Sequence, residues 1–341
     1  MNENCLMGKE YIELRSSLDA LCRSFIENKE TIRDTFPWDS VYLYPVCGAV
    51  FTDKRRRADG EQLKYCRDLL RDETGVFSSF RGLVRIAVIS LLCAGGEIES
   101  RLKRTIQVYD ALRKHFFSSQ YLPVAAVMIA DLVRPEKYDE TAARVRHIYD
   151  LMKNEHPFLT SGEDSVFAAM LALSPMTDAE IVSETERCFE LLKGEFFSSN
   201  AVQSLSHVLA LGEGTPEEKC RKTMELFHGL KKKGCRYGTG YELATLGALA
   251  LLPEEADSTV EELIEADHFL EKQKGYGVFG LGRKQRLMHA GMLLTSDYLG
   301  TDSSPVMNSA ALSGVVSLVA AQQTAVCAAV AAAGTAAAAS S

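Results

Sequence analysis

The sequence predicts an all-α protein built as α/α helical-hairpin repeats, and three observations predict it. Two anchor patterns recur at one interval, nearly uninterrupted apolar segments alternate with amphipathic charged ones, and no segment sustains the period-two alternation of a strand. The first anchor is a bulky residue followed by small ones: Phe77 in VFSS, Phe117 in FFSS, Leu159 in FLTS, Phe197 in FFSS, Tyr237 in RYGT and Phe279 in VFGL. Its steps are 40, 42, 38, 40 and 42 residues. The second is an aromatic inside a charged helix: Tyr109, Tyr149, Phe189, Phe227 and Phe269, at steps of 40, 40, 38 and 42. Two anchors keeping the same step define units of about 40 residues, and about six to seven hairpins fit the chain.

Each unit reads as two helices. Helix A follows the first anchor and is apolar almost all round, in segments 83–94, 122–132, 165–174, 204–212 and 243–252. Such a helix must be covered on most sides. Helix B, as in 101–115 and 217–234, is charged outside with an inner stripe; Cys220, Thr223, Met224, Phe227 and Leu230 fall on one face. Buried A helices lined by amphipathic B helices suit an α-solenoid or an α/α toroid, because each hairpin buries its apolar face only against neighbours. Ser118, Ser198 and Thr239 are placed as N-caps, and Ala94-Gly95-Gly96, Pro135, Pro175, Gly212-Glu213-Gly214 and Pro253 punctuate the A-to-B joints.

Ahead of the array, residues 4–29 form an amphipathic helix with a stripe of Leu14, Leu18, Leu21, Cys22 and Phe25. Segments 41–51, despite Pro45, and 61–71 then read as a divergent first hairpin, since terminal repeats must cap the stack. Residues 1–75 and the array 76–300 are read as one continuous domain, and 301–341 as a separate tail. The tail has no charge from Ser303 onward and ends in alanine-rich sequence. It reads as a helix on the last repeat that frays at its end, as an oligomerising helix for a homo-oligomer, or as a membrane span, which Gln322-Gln323 disfavours.

The net charge of −8 over 341 residues argues against a general nucleic-acid binder. Two basic runs, Lys54–Arg57 and Lys231–Lys233, read as solvated helix ends. Nine cysteines, an odd count without any C-x-x-C, fit a reducing compartment. The N-terminus lacks the apolar core of a secretion signal, so a cytoplasmic location is expected.

The segments FFSS-x(4)-SLSHVLAL and RYGTGYELATLGALALL, with the ending AAQQTAVCAAVAAAGTAAAASS, resemble the bacterial family designated domain of unknown function 4003. The resemblance runs from about Glu10 to Leu299, with the tail as a further shared trait. It implies a bacterial, cytoplasmic protein and carries over no catalytic residue.

Motifs of chemistry are sparse. There is no H-E-x-x-H, no zinc spacing of Cys and His, no phosphate loop and no G-x-S-x-G. No metal and no cofactor is predicted. Glu265, Asp267 and His268 read as a polar helix face, and YGTGYE (237–242) and GYGVFGLG (275–282) as turns. One departure from repeat identity stands out. Ten residues past the first anchor lie Ala87, Val127, Ala169, His207, Gly247 and His289, two imidazoles among small or apolar residues. They read either as satisfied core histidines or as part of a surface.

Polar groups also gather early in the later A helices: Glu163, Asp164, Asn200, Gln203, Tyr241, Glu242, Arg283 and Arg286. If equivalent positions share a surface, helix N-termini add partial positive charge there. The expected binding rim is then Asn200, Gln203, His207, Tyr241, Glu242, Arg286 and His289. The leading expectation is a non-catalytic binding or scaffold protein that holds a protein segment or a small ligand, with no nucleic acid and a membrane disfavoured. The alternative is an α/α-toroid enzyme in which Asp164 and Glu242 act as general acid and base on a glycan.

Overall fold

The computed structural model describes residues 14–75, 78–82, 84–276 and 280–300. Among these there are fourteen α-helices and no strand, so the chain is all-α. The odd-numbered helices are α1 (Ser16–Thr35), α3 (Gly60–Glu73), α5 (Ile98–Arg113), α7 (Tyr138–Glu155), α9 (Asp178–Leu192), α11 (Pro216–Lys232) and α13 (Ala256–Glu271). The even-numbered ones are α2 (Leu43–Asp53), α4 (Arg85–Gly95), α6 (Leu122–Leu132), α8 (Ser165–Leu173), α10 (Ser199–Ala210), α12 (Leu243–Ala250) and α14 (Arg283–Gly300).

The two sets differ as their sequences demand. In α6 every residue from Leu122 to Ala130 is buried, and in α12 every residue from Leu243 to Ala250. The odd helices bury one stripe; α9, for example, buries Ile181, Thr185, Cys188, Phe189 and Leu192. Their starts are chemically specified. Asp59 accepts the Glu61 and Gln62 amides, and Thr177–Glu180 and Thr215–Glu218 form reciprocal capping boxes ahead of α9 and α11. Acids occupy the first turn of α5, α7, α9, α11 and α13, and bases close α5, α7 and α11, in accord with the helix dipole.

Each even helix folds back on the odd helix before it, and each also packs on the even helices before and after it. The buried apolar side chains form one contiguous cluster from Leu18 to Leu294. Helix α14 packs on α12 and α13 and also on α1 and α2, from the other end of the chain. Ser17 Oγ donates to Asp297 Oδ2 at 3.1 Å, Arg15 pairs with Glu262 at 2.8 Å, and Arg55 donates to the Ser296 carbonyl at 2.8 Å. Lys29 Nζ donates to the Lys274 carbonyl at 2.5 Å.

Two expectations about local structure change. The first helix runs to Thr35 rather than stopping near residue 29, and residues 1–13 lie outside the described residues. Buried Ile32 carries the apolar stripe past residue 29, and Asn28 just ahead of it is buried and satisfied. Asn28 Nδ2 donates to Thr52 Oγ1 at 3.0 Å and to the Arg56 carbonyl at 3.1 Å, while its Oδ1 accepts the Ala58 amide at 2.8 Å. Of the three expected caps, Ser198 accepts the Ala201 amide. Ser118 instead pairs with Ser79 at 2.8 Å, and α12 begins at Leu243 without a side-chain cap, leaving Thr239 exposed. The tail, 301–341, lies outside the described residues.

Asn28 ties α1 to the turn after α2, and its removal leaves buried donors and acceptors unpaired. Asn28→Ala is expected to cost about 2–4 kcal/mol, seen as a lower urea midpoint with an unchanged slope.

Candidate functional site at the odd-to-even joints

The first four joints leading from odd to even helices touch one another in succession, and the last two also meet. Arg85 pairs with Asp39 of the first joint at 2.9 Å, Ser79 bonds Ser118, and the position of a Gly162 Cβ lies 3.9 Å from Ser119 and Tyr121. Gln203 Nε2 donates to Thr160 Oγ1 at 2.9 Å, and Gln285 Nε2 to the Tyr241 hydroxyl at 3.2 Å. These joints carry the residues that the sequence nominated, so the placement of each can be stated.

Asn200 is exposed and Tyr241 half-exposed, whereas Gln203, His207, Glu242, Arg286 and His289 are buried. The nominated residues are therefore not one open rim. His207 stacks at 5.2 Å from the Phe167 ring, and its Nδ1 has no hydrogen-bond partner among the described residues. Burial, and secondarily His156, pushes its pKa down to about 3. His289 Nδ1 is 2.9 Å from the Tyr276 hydroxyl, and burial with the nearby Lys29 charge brings it down to about 3 as well. Arg286 makes a two-pronged pair with the buried Asp267 at 2.6 and 3.1 Å and meets Glu271 at 3.0 Å. Asp267 therefore points inward while His268 on the same helix is exposed. No cluster of three or more metal-ligating side chains occurs among the described residues.

The two nominated carboxylates serve their own loops. Asp164 Oδ2 accepts the Ser161 amide at 2.8 Å, and Glu242 Oε2 accepts the Gly240 amide at 3.1 Å. Glu242 lies so close over Gly238 that a Cβ there would fall 2.2 Å from the carboxyl carbon. Burial pushes Asp164 up to about 7; the Ser161 amide opposes that rise and the Glu163 charge adds to it.

The aromatic anchors divide in an unexpected way. Phe116 meets Tyr149 edge-on at 5.4 Å, and Phe196 is buried and meets Phe227 edge-on at 5.1 Å. The adjacent Phe117 and Phe197 are 94% and 103% exposed, and Phe158 of the intervening joint is 98% exposed. Trp38, on the first joint, is 97% exposed. Hydrophobicity at a regular step predicts burial for either member of an FF pair, and only packing chooses between them.

A cleft of about 380 Å³ opens beside the start of α14, lined by Gly234, Arg236, Gly282, Arg283, Lys284 and Gln285. Arg283 is held by bonds to the Gly234 carbonyl at 3.2 Å and to Cys235 Sγ at 3.1 Å. Cysteines far apart in sequence also meet: the Cys220 thiol donates to the Cys188 carbonyl at 3.8 Å, and all seven described cysteines are buried and free.

Residues 28–324 match the family described as "Protein of unknown function (DUF4003)". The chain belongs to that family. No curated protein and no solved structure matches it. No helix among the described residues is long and apolar enough to cross a membrane.

The buried titratable groups oppose one another in pH dependence. Between the ordinary histidine value of 6.5 and the native value of about 3, the unfolded chain binds protons that His207 and His289 refuse. Their contribution is fully present above about pH 6.5 and is lost as the pH falls toward 3. Asp164 acts in reverse: between 3.8 and about 7 the native chain keeps a proton that the unfolded chain has released, so stability falls as the pH rises. His207→Gln is expected to make the acid-side loss shallower. Asp164→Asn is expected to gain on the parent by a few kcal/mol as pH rises through that window. Urea titrations across the pH range measure both, and parallel profiles for parent and variants would refute the assignments.

Proposed function

We propose that this family member is a non-catalytic binding protein built as a closed α/α toroid of seven odd–even hairpins. In this reading it holds a small anionic ligand in the cleft beside α14. Closure is supported by the packing of α14 on both α1 and α2 and by the Ser17–Asp297 and Arg55–Ser296 bonds. In an open solenoid the first and last units would not meet.

The observation that carries the binding reading is the lining of the cleft: two arginines, a lysine and a glutamine, with no acid among the described lining residues; Arg283 pairs with the buried Asp267 at 3.5 Å, which leaves Arg236 and Lys284 to meet a ligand. Arg236 and Lys284 have no ion-pair partner among the described residues. The first backbone amides of the 18-residue α14 add partial positive charge at the same place. The volume is in the range that accepts a small molecule. The lining offers recognition groups and no general base or nucleophile. The enzymatic alternative draws on the raised pKa of Asp164, but that carboxylate is already engaged by Ser161.

Calorimetric titration with pyrophosphate as the probe tests the cleft. The parent is expected to bind it, and Arg236→Glu combined with Lys284→Glu to weaken binding by roughly tenfold to a hundredfold. Equal affinities in parent and variant would sink the assignment.

A further inference from the structure

Cys188 of α9 and Cys220 of α11 lie 32 residues apart in the chain and meet where those two helices pack together. The Cys220 thiol donates to the Cys188 carbonyl at 3.8 Å, and the Cys188 thiol donates in turn to the Cys220 sulfur. The two sulfurs are therefore direct neighbours. Both residues are nearly enclosed, at 0% and 5% exposure. A single buried cysteine behaves as a small apolar group. Two in contact are a dithiol, which has chemistry of its own.

The surroundings give the two thiols different characters. Lys219, beside Cys220 in the chain, pairs with Glu184 of α9 at 2.9 Å, and Arg187, beside Cys188, pairs with Glu217 of α11 at 2.7 Å. These ion pairs clamp α9 to α11 at the thiols, and the Arg187–Glu217 pair is half in solvent. The bond from Cys188 draws the Cys220 thiol below its ordinary value. Burial and the Glu217 charge oppose that, while Lys219 and Arg187 assist it. The same thiol–thiol bond, together with burial, raises Cys188. One sulfur is disposed to ionise and its neighbour to hold a proton, as an attacking and a resolving cysteine require.

We propose that Cys188 and Cys220 form a reversible dithiol–disulfide site that reacts with hydrogen peroxide. The Cys220 thiolate attacks one peroxide oxygen, the O–O bond breaks, and the departing hydroxide takes up a proton to become water. Cys220 is then a sulfenic acid. The Cys188 thiol loses its proton and its sulfur attacks the Cys220 sulfur, expelling the hydroxyl as a second water. Two thiols and one peroxide become one disulfide and two waters, the sulfurs supplying both electrons. A dithiol reductant reverses the change by exchange. Hydrogen peroxide is little larger than water, so it can reach a sulfur lying just beneath a surface ion pair. The site uses none of the residues lining the α14 cleft and stands independently of the anion-binding reading.

Peptide mapping by mass spectrometry tests it on the reduced full chain. The protein is exposed to hydrogen peroxide while folded, then unfolded and alkylated. The parent is expected to lose the alkylatable thiols at Cys188 and Cys220 and to yield a peptide linking them, and a dithiol reductant should restore both. In Cys188→Ala, Cys220 is expected to stop at the sulfenic acid, trapped by dimedone. In Cys220→Ala, consumption of the Cys188 thiol is expected to slow by roughly tenfold or more. Thermal melts show whether each variant is folded, and the parent's map decides by itself if one is not. Retention of both thiols in the parent overturns the proposal, as does a link that forms only after unfolding. Dimedone trapped on Cys188 instead of Cys220 overturns it too.

Discussion

Even helices that are apolar on nearly every side impose the constraint on which the rest of the structure depends. From Leu122 to Ala130 in α6 and throughout α12 no side is left to water, so each must be enclosed by an odd helix behind it and even helices on its flanks. An array of such helices has two ends that cannot be left open. The chain answers by bringing α14 onto α1 and α2. Glycines permit the closest approaches: a Cβ at Gly48 would lie 3.0 Å from the Lys29 backbone nitrogen, and one at Gly247 would lie 2.7 Å from Leu205. Polar groups inside this packing are accordingly tied down, as Asn28 is between α1 and the turn after α2.

A second constraint follows from how the odd helices are staggered. The later part of one reaches the start of the next: Lys114 after α5 meets Asp139 in the first turn of α7 at 2.7 Å, Arg187 of α9 meets Glu217 in the first turn of α11 at 2.7 Å, and Lys233 after α11 meets Glu261 of α13 at 3.3 Å. The preference of each helix for acids at its start and bases at its end is thereby answered between neighbours, base to acid, along the outer layer.

The titratable interior shows how the same fold treats unlike groups. His207, His289 and Asp164 are all driven toward their neutral forms by burial, the desolvation cost of a charge exceeding what nearby dipoles return. Asp267 is met by Arg286 through two parallel bonds, and Arg286 also reaches Glu271.

Periodicity and helix-end chemistry were enough to read the all-α class, the alternation of buried and amphipathic helices, and most joints, since those depend on neighbours along the chain. Family membership was legible too, in segments that encode packing. The placement of site residues was not. An FF pair does not reveal that Phe116 faces Tyr149 while Phe117 faces water, nor does a polar residue near a helix start reveal that Gln203 reaches Thr160 and Asn200 reaches solvent. The meeting of α14 with α1 and the gathering of Arg236 with Lys284 join residues from separate hairpins, and the Arg286–Asp267 pair joins the two helices of one hairpin. The sequence by itself determined which residues form helices and which faces must be buried; tertiary packing alone decided which polar and aromatic groups were left to face water, because that depends on contacts between segments far apart along the chain.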